Sequence, residues 1–113
     1  MKQDKNEFKA LVDLLSDIFD IEEKEVEKYL SDYGIYSLSQ FYIALNDFIV
    51  EVAHDVGIGS SIKMIRTDAL LDLLEDIFSL TSEQVFNFMS HYGILSFNEF
   101  ERDLENRIKK LSN

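Results

Sequence analysis

The sequence predicts an all-α fold of six helices, arranged as a tandem duplication of two pseudo-symmetric three-helix units. Three observations predict it. Apolar residues recur at helical spacing along nearly the whole chain. Among 113 residues there is no proline and there are only four glycines, so little interrupts a helix and little favours strands. Residues 10–52 also align with residues 69–111 without a gap, at an offset of 59 positions, and 17 of the 43 pairs are identical. The two copies fill one compact domain, with repeat one at 1–56, repeat two at 60–113 and the joint at 56–61.

The first helix of each copy covers about residues 7–19 and 62–78, with Phe8, Leu11, Leu15 and Ile18 on one stripe and Leu70, Leu73, Leu74 and Ile77 on the other. Val12, Leu14 and Phe19 widen the first stripe, which predicts a helix buried on more than one side. Second helices follow from Val26, Tyr29, Leu30 and Tyr33, and from Val85, Phe88, Met89 and Tyr92, each set spaced i, i+3, i+4, i+7. Third helices carry Phe41, Leu45, Phe48, Ile49 and Val52, and Phe100, Leu104, Ile108 and Leu111. In the first copy this helix, FYIALNDFIVEV, is apolar nearly all round, which predicts the middle of the molecule. Its counterpart reads as an amphipathic surface helix, since Glu101, Arg102 and Lys109 replace Tyr42, Ile43 and Val50.

Glycines punctuate the helices. Gly34 and Gly93 fall at the left-handed position that ends the second helices, with Ile35 and Ile94 placed to touch Leu30 and Met89. Gly57 and Gly59 mark the joint, and Ser60 or Ser61 is placed to cap the next helix.

The stretch HYGILSFNEF, residues 91–100, resembles the second half of an EF-hand calcium loop through Gly93, Leu95, Glu99 and Phe100. The resemblance is local. Extended backward, the chelating positions fall on Phe88, Ser90 and Tyr92, and Gln40 replaces the glutamate in the first copy. A hard dication needs six to eight oxygens, so no metal is expected here. Ser37-x-x-Gln40 and Ser96-x-x-Glu99 instead read as capping boxes, with Tyr36–Phe41 and Leu95–Phe100 as hydrophobic staples.

Charge narrows the function. Twenty-two acids oppose eleven bases, a net −11 that disfavours direct binding to nucleic acid or to an anionic membrane. Residues 1–55 hold thirteen of the acids and five of the bases. No cysteine, signal core or membrane-length apolar run is present, and a cytoplasmic protein is expected.

Catalytic and cofactor motifs are not expected either. His54-Asp55 near Ser60 and Ser61 lacks a nucleophile elbow, His54 and His91 share no ligand spacing, and Gly57-x-Gly59 is too short to cradle phosphate. More telling are Asp13/Asp17 and Asp72/Asp76, spaced i, i+4 on the polar stripe of each first helix. Like charges so spaced mildly oppose helix formation, so neutralising Asp13 and Asp17 is expected to leave folding intact or slightly improved. With Asp20, Glu23 and Glu27 they form a candidate acidic ridge, and Phe86, opposite Glu27, is a candidate apolar anchor.

The expectation is a non-catalytic interaction protein that covers a basic surface of a protein partner, as immunity proteins, antitoxins and phage-encoded inhibitors of nucleic-acid-binding enzymes do. The alternative is a dimerising adaptor or secretion-type chaperone that binds through apolar residues such as Tyr36, Tyr42 and Phe86, and a homodimer is compatible with it.

Overall fold

Why the chain forms six helices is visible at their ends. The computed structural model describes residues 2–56, Gly59 and 61–112, with side chains from Lys5 onward. The described residues form α1 (Lys2–Phe19), α2 (Glu23–Tyr33), α3 (Leu38–Val56), α4 (Ile62–Phe78), α5 (Ser82–Tyr92) and α6 (Phe97–Ser112), with no strand among them. Helix α2 stops in a Schellman motif: Gly34 has φ 95°, its amide donates to the Ser31 carbonyl, and the Ile35 amide donates to the Leu30 carbonyl at 2.8 Å. Gly93, at φ 100°, and Ile94 end α5 in the same way.

At the starts of α3 and α6 the serine half of each expected capping box forms, while the Gln40 and Glu99 side chains reach one residue farther back than the box requires, to the amide before the serine. The Gln40 amide donates to Ser37 Oγ, and Gln40 Oε1 accepts from the Tyr36 amide at 2.6 Å. Glu99 accepts from the Leu95 amide at 3.0 Å, while its own amide donates to Ser96 Oγ. The carboxylate that gave this loop its calcium-like look thus accepts from the Leu95 amide and the Ser96 hydroxyl. The expected staples do not form. Phe41 and Phe100 are fully buried, but Tyr36 and Leu95 are each 65% exposed, and Ile35 and Ile94 enter the core instead.

Two helix ends were not anticipated. Asp20, at φ 55°, and Ser79, at φ 54°, take the left-handed position after α1 and α4 without glycine. Short polar side chains tolerate that region better than most. At the start of α4, Ser61 accepts from the Met64 amide. Gly57 and Ser60 lie outside the described residues.

Packing centres on α1 and α4. Ala10, Leu11, Val12, Leu14, Leu15, Ile18 and Phe19 are all buried, as the wide apolar stripe of α1 requires, and α4 buries the corresponding side. Each of these two helices packs on α2, α3, α5 and α6. Helices 1–3 and 4–6 are therefore not separate bodies. Helix α3 packs most extensively on α4, and α6 on α1. A side-chain bond from Asn6 to the Leu111 carbonyl ties α1 to the end of α6, and Thr67 of α4 accepts from the Phe97 amide at the start of α6.

Aromatic rings close the centre. Phe19 lies 4.6 Å from Phe78, and each meets a ring of the opposite second helix, Phe88 at 5.4 Å and Tyr29 at 5.2 Å. Phe41 stacks on Phe100 at 6.1 Å. The radius of gyration, 13.8 Å, is close to the roughly 13 Å of one compact domain this long.

One expectation is corrected. Helix α3 is not the middle of the molecule. Its inner residues Phe41, Leu45 and Val52 are buried, but Ile43 and Val50 are 65% and 61% exposed. An apolar surround usually signals a buried helix; here the buried positions belong to α1 and α4, and α3 keeps an uncovered apolar face.

Candidate functional site

The polar chemistry divides between two helix seams that share the paired aspartates of the first helices and differ in what those aspartates meet. On the α1–α6 seam, Arg107 stands among acids. Its Nη1 donates to Asp13 at 2.9 Å and to Asp17 at 2.8 Å, its Nε donates to Asp103 at 2.8 Å, and its Nη2 donates to the Tyr92 hydroxyl. The Arg107 side chain is only 16% exposed. Burial works against its charge, but the bonds to Asp103 and Asp17 outweigh that, so the guanidinium is held above its ordinary pKa. Asp13 and Asp17 thus belong to an internal ion-pair network, and the expected gain in stability from neutralising them is corrected: Arg107 would lose two of its three carboxylates.

On the α3–α4 seam the position aligned with Arg107 is Phe48, which packs against the core. No cation replaces the missing arginine. Among the described residues the only ion pairs are those of Arg107. Asp76 accepts from the Tyr33 hydroxyl at 3.4 Å. Burial first, and then Asp76, Asp47 and Glu51, push the Tyr33 pKa up, which places all three acids within electrostatic reach of one hydroxyl. Farther along, a 370 Å³ groove is lined by Val52, Asp55, Asp68, Leu71, Asp72 and Glu75 among others. Asp72 is raised to about 6, by burial and then by Glu75, Asp68 and Asp76. Acids from α3 and α4 therefore run along this seam with nothing to neutralise them.

Of the remaining candidates, Asp20 lines a groove between α1 and α5 together with Asp17, and the others lie on α2 and α5. Asp20 is exposed and ends α1. Glu23 and Glu27 are exposed on α2, Glu23 in the first turn, where a negative charge suits the helix dipole. Phe86 is 55% exposed on α5. The structure joins Asp13 to Asp17 through Arg107, and sets Asp72 and Asp76 on the other seam. It does not gather all eight candidates into one surface.

Sequence reasoning missed Asp47, Glu51, Asp55, Asp68 and Glu75 as companions of Asp72 and Asp76, and missed Arg107 as the partner of Asp13 and Asp17. A signal was present in the aligned copies, where Arg107 faces Phe48 and Lys110 faces Glu51. It has meaning only once α6 is known to lie on α1. The α1–α6 side also carries a wide groove of about 750 Å³, where Arg102, Arg107 and Lys110 stand among Asp13, Asp17, Glu99 and Asp103, so most of its acid charge is opposed.

No helix among the described residues is long and apolar enough to cross a membrane. No group of histidine, cysteine and acid side chains among them is placed to hold a metal ion. No protein-family model matches the chain, and no curated protein or solved structure matches it.

Proposed function

We propose that this chain is a non-catalytic acidic interaction module that covers a basic surface of a partner protein in the cytoplasm. The observation that carries the reading is the α3–α4 seam. Its acids have no internal cation, whereas the aligned acids of α1 are occupied by Arg107. Leaving carboxylates close together costs stability, and Asp72, raised first by burial and then by Glu75, Asp68 and Asp76, bears part of that cost. A partner that brings lysine or arginine to the seam relieves it. Antagonists such as immunity proteins, antitoxins and phage-encoded inhibitors of nucleic-acid-binding enzymes work in this way, by occupying the basic site that a nucleic acid would otherwise use.

The chain also reads as a tandem duplication with approximate two-fold symmetry. What supports this is the pairing of residues 59 positions apart. Phe19 meets Phe78, Phe41 meets Phe100, and Tyr42 donates to Glu101. Self-contact of aligned positions is what an isologous arrangement requires. On this reading the two first-helix sites began alike, and one was closed by arginine.

The test is kinetic. Once a partner is captured from the native cell, association should slow steeply between low and physiological ionic strength, and Asp72→Asn with Asp76→Asn should slow it by about tenfold or more. Rates indifferent to salt and to both substitutions would refute the reading. The exposed Tyr36, Ile43 and Leu95 favour the dimerising adaptor or chaperone as the second reading, and a salt-independent complex is its signature.

A further inference from the structure

The outward face of α3 carries more than charge. Ile43, Asp47, Val50 and His54 fall at i, i+4, i+7 and i+11, so they form one stripe along the helix, and all four are exposed. Glu51 and Asp55 flank this stripe on the side turned toward α4, where Asp68, Asp72 and Asp76 continue the acid row. Two exposed apolar side chains, Ile43 and Val50, with Asp47 between them and acids on one border, are thus presented on a helix of 19 residues, about 28 Å long.

We propose that this face is the docking surface of the interaction module, and that its occupant is a basic amphipathic helix of the partner protein. The proposal rests on the acidic-module reading above and adds the shape and chemistry of what binds. Ile43 and Val50 lie two helical turns apart, so apolar residues repeating at i, i+7 on an incoming helix meet both. Lysine or arginine on the edge of that helix then faces Glu51, Asp55 and the α4 acids. Charge decides against the other occupants. A second copy of this chain would bring two acid rows together, and an anionic membrane would be repelled.

A synthetic peptide of leucine and lysine with one apolar helical face is the probe, and a scrambled peptide of the same composition is its control. Affinity is read by fluorescence anisotropy, with circular dichroism confirming that each variant is folded. Ile43→Ser with Val50→Ser should weaken binding about tenfold or more, and so should Glu51→Gln with Asp55→Asn. The same charge change placed elsewhere, Glu25→Gln with Glu83→Gln, should weaken it less than about threefold. The scrambled peptide should bind about tenfold more weakly. Undiminished binding by the Ile43/Val50 variant, or equal losses from the two charge variants, would overturn the docking surface while leaving the acidic-module reading intact. Binding of the peptide that ignores salt and every charge change would overturn both. A dimer in sedimentation equilibrium that disappears with Ile43→Ser and Val50→Ser would make a second copy the occupant and overturn the proposal.

Discussion

At the scale of residues, Arg107 and Asp72 are opposite outcomes of the same problem. Each sits beside carboxylates on a first helix, and only one of the two seams holds a cation. Arg107→Met should lower stability by about 2 kcal/mol in urea unfolding, because it leaves acids crowded without their counter-charge. Asp13→Asn with Asp17→Asn should also destabilise, and should do less harm when Arg107 is already gone, a coupling that a double-mutant cycle measures. Asp72 behaves in the reverse sense. Its folded pKa, about 6, lies above the ordinary aspartate value, so the folded state holds the proton more tightly than the unfolded state does. Its charge therefore opposes folding above about pH 6, and the penalty fades as pH falls toward the unfolded value near 4. Asp72→Asn should stabilise the protein at pH 7, by under about 1 kcal/mol given how much of the group meets solvent, and the gain should vanish near pH 4. A gain that is constant with pH would mean that packing, not charge, sets it.

At the scale of elements, the helices are defined by their ends more than by their propensities. Gly34 and Gly93 hold left-handed angles that a β-carbon strains, and a β-carbon built at either meets nothing within 4 Å. The cost of alanine there is therefore a backbone cost. Gly34→Ala and Gly93→Ala should each destabilise by about 1 kcal/mol, read from thermal or urea unfolding. An alanine variant as stable as the parent would mean that the helix simply runs on. These glycines, Ser37, Ser96 and the capping-box side chains were legible in the sequence because caps are local: their partners lie within four or five residues. Asp20 and Ser79 were not legible as helix ends, since neither residue type requires the left-handed angle. The outward face of α3 was misread for a different reason. Periodicity shows that a helix has apolar residues on several sides, but not how many neighbours are available to cover them.

At the scale of the molecule, stability is shared between the sequence halves. Helix α1 packs most extensively on α6, and α4 on α3. A fragment ending at Val56 keeps α1, α2 and α3 but removes the main packing partner of both α1 and α3. It should lack a cooperative urea transition and show much less helicity by circular dichroism than the intact chain. A fragment that unfolds cooperatively would show that helices 1–3 form a self-sufficient core. In the intact chain, Phe41→Ala should cost about 3–5 kcal/mol, as for a fully buried ring, and its effect should be non-additive with Phe100→Ala because the two rings stack.

The sequence by itself determined the all-α class, the six helices, most of their caps and the excess of acid, since these depend on composition and on neighbours within a few residues. It also carried the alignment of 10–52 with 69–111. Only the tertiary structure decided what each charge and each apolar face meets. Asp13 and Asp72 are aligned residues of the two first helices, yet only Asp13 meets an arginine, which lies 94 residues away in the chain. The acids beside Asp72 include Asp68 and Glu75 of its own helix, where the first copy has Lys9 and Ser16. Ile43 and Leu45 are both apolar residues of one helix, yet one faces solvent and the other the core. The physical reason is the same in both cases. Charge pairing and burial are set by contacts across the fold, and helical periodicity specifies which side a residue occupies without specifying what lies against that side.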